Sequence, residues 1–275
     1  SMIKKIYFHA DDFGRSKLIS KNIYKCIKYG IVNSISIMVG FNENYFDKIK
    51  KDRYLNIRLH LNLTEYYKKS SLIENYSFLK LMILRFTPNF IGHRENIKKE
   101  IEGQIIYFKN KFNLKSIQID SHEHIHVIPW INDIIGELKK KYNIVELREP
   151  IEKIYLVKFI DIIKAAYLMN IIKFLLIKFL SIFHNKNKKS LIKKNFTGIL
   201  YTGFQNLNSI IKGIKINSKN NKTLEVLIHP GYTNYSEFRL FKNRYFNYYS
   251  SKNRINEFKL ASSKKIINTL SKSRS

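Results

Sequence analysis

The 275-residue sequence is poor in cysteine, proline, glycine and acid: one Cys, four Pro, ten Gly, and 21 Asp+Glu against 50 Lys+Arg. A lone Cys26 excludes a disulfide framework and a thiolate zinc cluster. So little glycine and proline excludes collagen-like and low-complexity classes and leaves no stretch to serve as a linker. No internal repeat is visible, so residues 1–275 are read as one domain, a length at which single α/β barrels are common. Ser1–Ala10 carries no secretory pattern and runs directly into an apolar strand, which points to a cytoplasmic protein. Hydrophobic residues at 44% supply a core, which excludes disorder.

The shortage of acid leaves a formal charge of +29, and such a balance raises nucleic acid, an anionic membrane surface or an acidic substrate as partners. Only 10 of the 50 basic residues are Arg, however, and the lysines come with Asn, Ile and Tyr along the whole chain. Arg is the residue that makes bidentate phosphate and guanine contacts, so a chain-wide lysine drift argues against nucleic acid. A non-catalytic basic module remains the alternative from outside the enzymes.

What is present is an alternation. Seven short apolar, β-branched runs read as strands: Ile3–His9, Ser34–Val39, Asn56–Leu61, Ser116–Asp120, Ile144–Leu147, Gly198–Tyr201 and Leu224–Ile228. Amphipathic stretches such as Lys17–Tyr29, Arg94–Phe112 and Trp130–Tyr142 separate them, with Ser16 and Pro129 placed to start helices. Strand and helix repeated in this way give an α/β fold with a parallel sheet, best closed into a (β/α) barrel of about seven strands; an open doubly wound sheet is the runner-up. After strand five, residues 151–195 form an apolar and basic helical insertion. Within it Ile154–Phe183 is too charged to span a bilayer and reads as a helix pair broken near Asn170, with an apolar stripe through Phe159, Ile163, Phe174, Ile177 and Ser181 packed on the barrel. A helix lying on a membrane surface, aided by the basic run Lys186–Lys194, is the competing reading.

Six of the eight histidines fall at the carboxyl ends of these strands: His9, His60, His122, His124, His126 and His229. In a parallel barrel those ends meet at one mouth, where barrel enzymes build their sites. Asp11 and Asp12 alone could be turn formers, and His60 alone a core histidine. Asp120-Ser121-His122-Glu123-His124-Ile125-His126 is harder to reduce to structure, because alternate imidazoles on an extended chain project to one side and need a metal or carboxylate partner. One carboxylate and two imidazoles from three strand ends suit a divalent ion with open positions, and a second carboxylate stays free as a base. Without sulfur, ligand softness does not choose among zinc, magnesium, manganese and iron. Such a site is hydrolytic in type, whether on an amide or a phosphoester.

The motifs Asp11-Asp12-Phe13-Gly14-Arg15-Ser16, Leu59-His60-Leu61-Asn62-Leu63-Thr64, Asp120-Ser121-His122-x-His124-x-His126, Arg148-Glu149-Pro150 and His229-Pro230-Gly231, closed by Arg254-x-x-Glu257, resemble in order and spacing those of the YdjC-like (ChbG) carbohydrate deacetylases. The resemblance implies a distorted (β/α) barrel, one divalent ion such as Mg²⁺ or Zn²⁺, and hydrolysis of the N-acetyl group of an acetylated amino sugar, free or in a glycan. The lipid-linked alternative comes from the apolar, basic segment Ile154–Phe183 and not from the resemblance, which puts the metal ligands on Asp12, His60 and His122, the base on Asp11 and the proton donor on His229. Arg148 is expected to assist catalysis, and His124, His126 and Glu225 to meet substrate. Arg58 stands where the family commonly has glycine. Oligomeric state is left open.

Overall fold

The structure, a computed structural model, describes residues 5–65, 76–184, 194–218, 223–241 and 243–272. The alternating pattern becomes seven strands, β1 (Ile6–Phe13), β2 (Ser34–Ile37), β3 (Asn56–Leu61), β4 (Ile117–Ser121), β5 (Ile144–Leu147), β6 (Asn195–Thr197) and β7 (Leu224–Ile228). The described helices are α1 (Lys17–Tyr29), α2 (Phe46–Lys50), α3 (Phe78–Ile83), α4 (Phe90–Phe112), α5 (Pro129–Tyr142), α6 (Ala165–Ile182), α7 (Leu207–Asn217), α8 (Asn243–Tyr249), α9 (Lys252–Ala261) and α10 (Lys265–Lys272). All strand pairs are parallel, in the order β5-β4-β3-β2-β1-β7-β6. That is the cyclic order of a barrel with one seam unmade, between β5 and β6. Side chains bridge the seam: Lys194, just before β6, reaches Glu146 of β5 at 2.7 Å, and Arg148, just past β5, reaches Glu225 of β7 at 2.7 Å.

Strand alternation sorts the chemistry. In β3, Ile57 and Leu59 face the helices, whereas Arg58 and His60 face the lumen. Phe8, Ala10, Ile35, Ile37, Ile119 and Val226 likewise bury against the helical layer, so the apolar core lies between sheet and helices. The lumen is polar instead. Arg58, at 0% exposure, joins Glu146 at 2.7 Å and Glu225 at 2.6 Å there, below the mouth of the barrel.

Local signals set several ends. Ser16 caps α1 by accepting the Ile19 N–H, Pro129 fills the first position of α5, and Asn113 and Asn143 end α4 and α5 in the left-handed conformation that Asn tolerates. Other expectations need correction. β1 runs on past His9 to Phe13, which makes His9 an interior strand residue. β6 is Asn195–Thr197 rather than 198–201, because Gly198 turns the chain at φ +131 and a Cβ there would sit 2.5 Å from the Leu227 carbonyl oxygen; the apolar Ile199–Tyr201 run is buried as a turn.

The apolar segment differs most from expectation. Asn170 does not break a helix pair; α6 is continuous through it, and its amide donates to the Leu200 and Thr202 carbonyls at 3.1 and 2.9 Å. Phe174 and Ile177 are buried, but Phe159 and Ile163 face solvent. The basic run expected at Lys186–Lys194 lies outside the described residues except for Lys194.

Candidate functional site

The site begins with a distortion of β1. Regular alternation would send Asp11 and Asp12 to opposite faces, yet both line the same cavity. Asp12 adopts φ 71, and the β1–β2 register shifts between Ala10 and Phe13. A non-glycine residue in the left-handed region costs about 1–2 kcal/mol and is tolerated best by short polar side chains such as Asp. The bulge spends that energy to aim two consecutive carboxylates into one space.

Asp12 Oδ1 meets two imidazoles. His60, from the end of β3, brings Nε2 to 3.5 Å, and His122, first residue after β4, brings Nδ1 to 3.3 Å. The candidate ligand atoms of these three buried residues lie within 4.8 Å of one another. The remaining ring nitrogens are held by carboxylates: His60 Nδ1 by Asp120 at 2.6 Å and His122 Nε2 by Glu65 at 3.1 Å. Carboxylate-backed imidazoles converging on a further carboxylate are the outer-shell arrangement that orients metal ligands, so this donor set fits a divalent ion. Arg254 of α9 holds the other Asp12 oxygen at 3.2 Å.

Charge in the cluster is balanced by protons. Burial opposes ionisation of His60, but Asp11 and Asp120 outweigh it and lift the ring to about 10. His122 is lifted to about 9, again against burial, by its bonds to Asp12 and Glu65. Burial would raise Asp12, yet both imidazoles and Arg254 hold it well below the usual carboxylate range. Two imidazolium protons thus occupy the place that a cation's charge would take.

A second group, His9, Asp11 and Asp120, is equally close-set. Arg148 distinguishes it, since its guanidinium lies 2.8 Å from each carboxylate and already supplies a positive charge between them. Burial raises and Arg148 lowers the Asp11 carboxyl, and the net result keeps it well below its ordinary range. Ser36 also donates to Asp11, at 3.0 Å.

The cavity at the mouth measures about 370 Å³. Asp11, Asp12, His60, His122, His124 and His229 form one part of its lining, and Asn170 and Lys173 of α6 with Thr202, Tyr245, Tyr248 and Arg254 form much of the rest. His229, just past β7, is lowered to about 3 by burial and by Arg254, so its ring is neutral. Its backbone N–H donates to Glu257 at 2.7 Å, and burial pushes that carboxyl up to about 7.

The run 122–127 is not extended, as its spacing suggested. It coils into a helical turn with Glu123 at φ 53 and His124 at φ 57, and its three imidazoles part company. His122 joins Asp12, His124 lines the cavity, and His126 turns inward to Ser121 Oγ at 2.5 Å and the Arg148 carbonyl at 3.0 Å. His126 and Glu225, expected to meet substrate, are 0% and 1% exposed and lie off the cavity lining. Glu225 instead braces Arg58 and Arg148, and Arg148 itself reaches the cavity only through Asp11. Residues missed by sequence reading are Glu65, which had only its nearness to the His60 motif as a signal, and Asn170, Lys173, Thr202, Tyr245 and Tyr248, which carry no local mark of function.

The family model for YdjC-like proteins matches residues 5–272. A carbohydrate deacetylase of Xenopus laevis is 27% identical over 158 residues, covering 54% of this chain and 51% of that protein. One from Clostridium beijerinckii is 28% identical over 149 residues, covering 51% and 58%. The chain spans about half the length of the curated relatives it matches. In fold it is similar to an Enterococcus faecalis crystal structure described as a putative cellobiose-phosphate cleavage protein, with TM-score 0.59 and 17% identity over 98% of this chain and 95% of that one. A match over nearly the whole length, with motif residues from four separate strand ends lining one cavity, establishes that the chain belongs to the YdjC-like family.

Proposed function

We propose that the chain is a metal-dependent hydrolase that removes the N-acetyl group from an acetylated amino sugar. The observation that carries this reading is the convergence of Asp12, His60 and His122, each backed by a charged partner, beside Asp11 and His229 in one cavity. The relatives named as carbohydrate deacetylases support the substrate class.

Asp12, His60 and His122 would hold the ion. When bound, a divalent ion supplies Lewis acidity toward the acetyl carbonyl and lowers the pKa of water toward neutrality. Asp11 accepts the proton of the attacking water; Arg148 favours its ionised form and fixes its orientation through two N–H donors. The departing amine needs a proton as the C–N bond breaks. We assign His229, neutral at rest in the same cavity, to relay to it the one that Asp11 has taken. His124 and the Tyr245–Tyr248 wall would contact the sugar.

An acetate-release assay over a panel of N-acetylated amino sugars, paired with elemental analysis, tests the reading. Asp12→Ala is expected to lose bound metal and activity together, and Asp11→Asn to keep metal while turnover falls by about 10²- to 10⁴-fold, the usual contribution of a positioned base. Full activity in Asp11→Asn removes the base assignment. Phosphate release from a model ester with no acetate release would move the reaction to phosphoesters.

A further inference from the structure

The outward face of α6 is covered by nothing among the described residues, and it is apolar throughout. At 100° per residue, Ile182, Leu175, Leu168, Phe179, Ile172 and Met169 fall within one arc of about 140°. Those six side chains are 46–73% exposed, and no charged residue falls inside the arc. Lys173 and Lys178 each lie about 40° beyond one edge of it on the same helical wheel. The opposite face, with Tyr167, Phe174 and Ile177, is buried in the fold, so the helix lies along the protein surface over its full length.

The concentration is not a scatter of ordinary surface residues. Ile154–Phe183 holds 12 of the 22 exposed large apolar side chains among the described residues, which makes a patch of the kind that marks an interaction surface. The patch adjoins the site: Asn170 and Lys173 of the same helix line the cavity, and α6 packs on the turn that carries His122 and His124. α3, which packs on that turn too, exposes Leu79 and Ile83.

We propose that α6 lies in the plane of an anionic lipid surface, its apolar arc in the acyl boundary, Lys178 at the headgroups and Lys173 at the rim of the cavity, which opens beside the bilayer. Charge decides between lipid and a second copy of the chain. Two α6 faces brought together would set lysine edges against lysine edges in a molecule that already carries +29, whereas anionic headgroups neutralise them. The substrate class that follows, and that rests on the proposed deacetylase function, is an acetylated amino sugar carried on a lipid, whose sugar enters the cavity as its apolar tail stays in the membrane.

The test is co-sedimentation with vesicles of phosphatidylglycerol and phosphatidylcholine, and of phosphatidylcholine alone, at low salt. The wild type is expected to pellet with the anionic vesicles. Leu175→Glu with Phe179→Glu, and independently Met169→Glu with Ile172→Glu, should weaken partitioning at least about tenfold while melting normally, because these side chains already face solvent. Acetate release from a water-soluble acetylated amino sugar should be unchanged in both double variants. A wild type that stays in the supernatant, variants that pellet as well as it does, or a wild-type dimer that the variants split without any vesicle binding, each overturns the proposal. Vesicle binding by a protein that releases no acetate from any sugar supports the docking and removes the deacetylase reading alone.

Discussion

Single residues here do work that depends on their neighbours' charge. Arg58 is fully buried among Glu146, Glu225 and Gln118 and stands 3.9 Å from Asp120, so truncating it strands carboxylates in a low-dielectric lumen. Arg58→Ala is expected to cost about 3–5 kcal/mol in urea unfolding, the usual penalty for breaking one side of a buried ion pair. A loss below about 1 kcal/mol would show that Lys194 and Arg148 already satisfy both acids. His229 offers a kinetic contrast. If it relays the proton to the amine, His229→Ala should impair an acetamide far more than an activated acetate ester, whose leaving group needs no proton; equal losses in kcat on both would remove the relay.

Elements matter where the chain departs from regularity. The left-handed Asp12 in β1 and the coiled 122–127 turn are both irregular backbone, and both aim side chains that a straight strand would misdirect. Gly198 is the corresponding device at the end of β6. With φ +131, and with the Leu227 carbonyl oxygen 2.5 Å from where a Cβ would sit, Gly198→Ala should lower the melting temperature by several degrees through loss of β6–β7 pairing, a change thermal denaturation would register. An unchanged melting temperature would mean that the β6 end yields at no cost. Most strand positions and helix starts were legible in the sequence because periodicity and caps are local; the sixth strand and these irregular turns were not, since their backbone conformation is imposed by packing around them. The outward face of α6 was hidden for a related reason: its composition announces apolarity, but which arc meets the barrel depends on what lies beneath it, and Asn170 anchors the helix to the Leu200 and Thr202 carbonyls.

At the scale of the whole molecule, the proposed metal would compete with protons for one cluster. In the folded chain His60 and His122 rise to about 10 and about 9, whereas unfolded imidazoles titrate near 6.5. The folded state therefore binds more protons between those values. The stability these rings contribute is full below pH about 6.5 and is lost as pH rises through about 9 and 10. Chelator-treated protein should accordingly melt at falling temperature across that alkaline window, and loading with Zn²⁺ or Mg²⁺ at pH 7 should release close to two protons per ion, measurable by calorimetry in buffers of different ionisation enthalpy. A release near zero would mean that the imidazoles are already neutral.

The linear sequence by itself determined an α/β chain of seven strands and capped helices, because hydrophobic period and capping are properties of neighbouring positions, and its motifs pointed to Asp12, His60 and His122 through their resemblance to a family. Only the tertiary structure decided that Asp11 answers to Arg148, that Glu65 and Asp120 brace the imidazoles, that His126 and Glu225 turn away from the cavity, and that α6 shows its apolar arc to solvent. Those outcomes are fixed by electrostatic and steric contacts between residues far apart in the chain, and such contacts exist only once the barrel has formed.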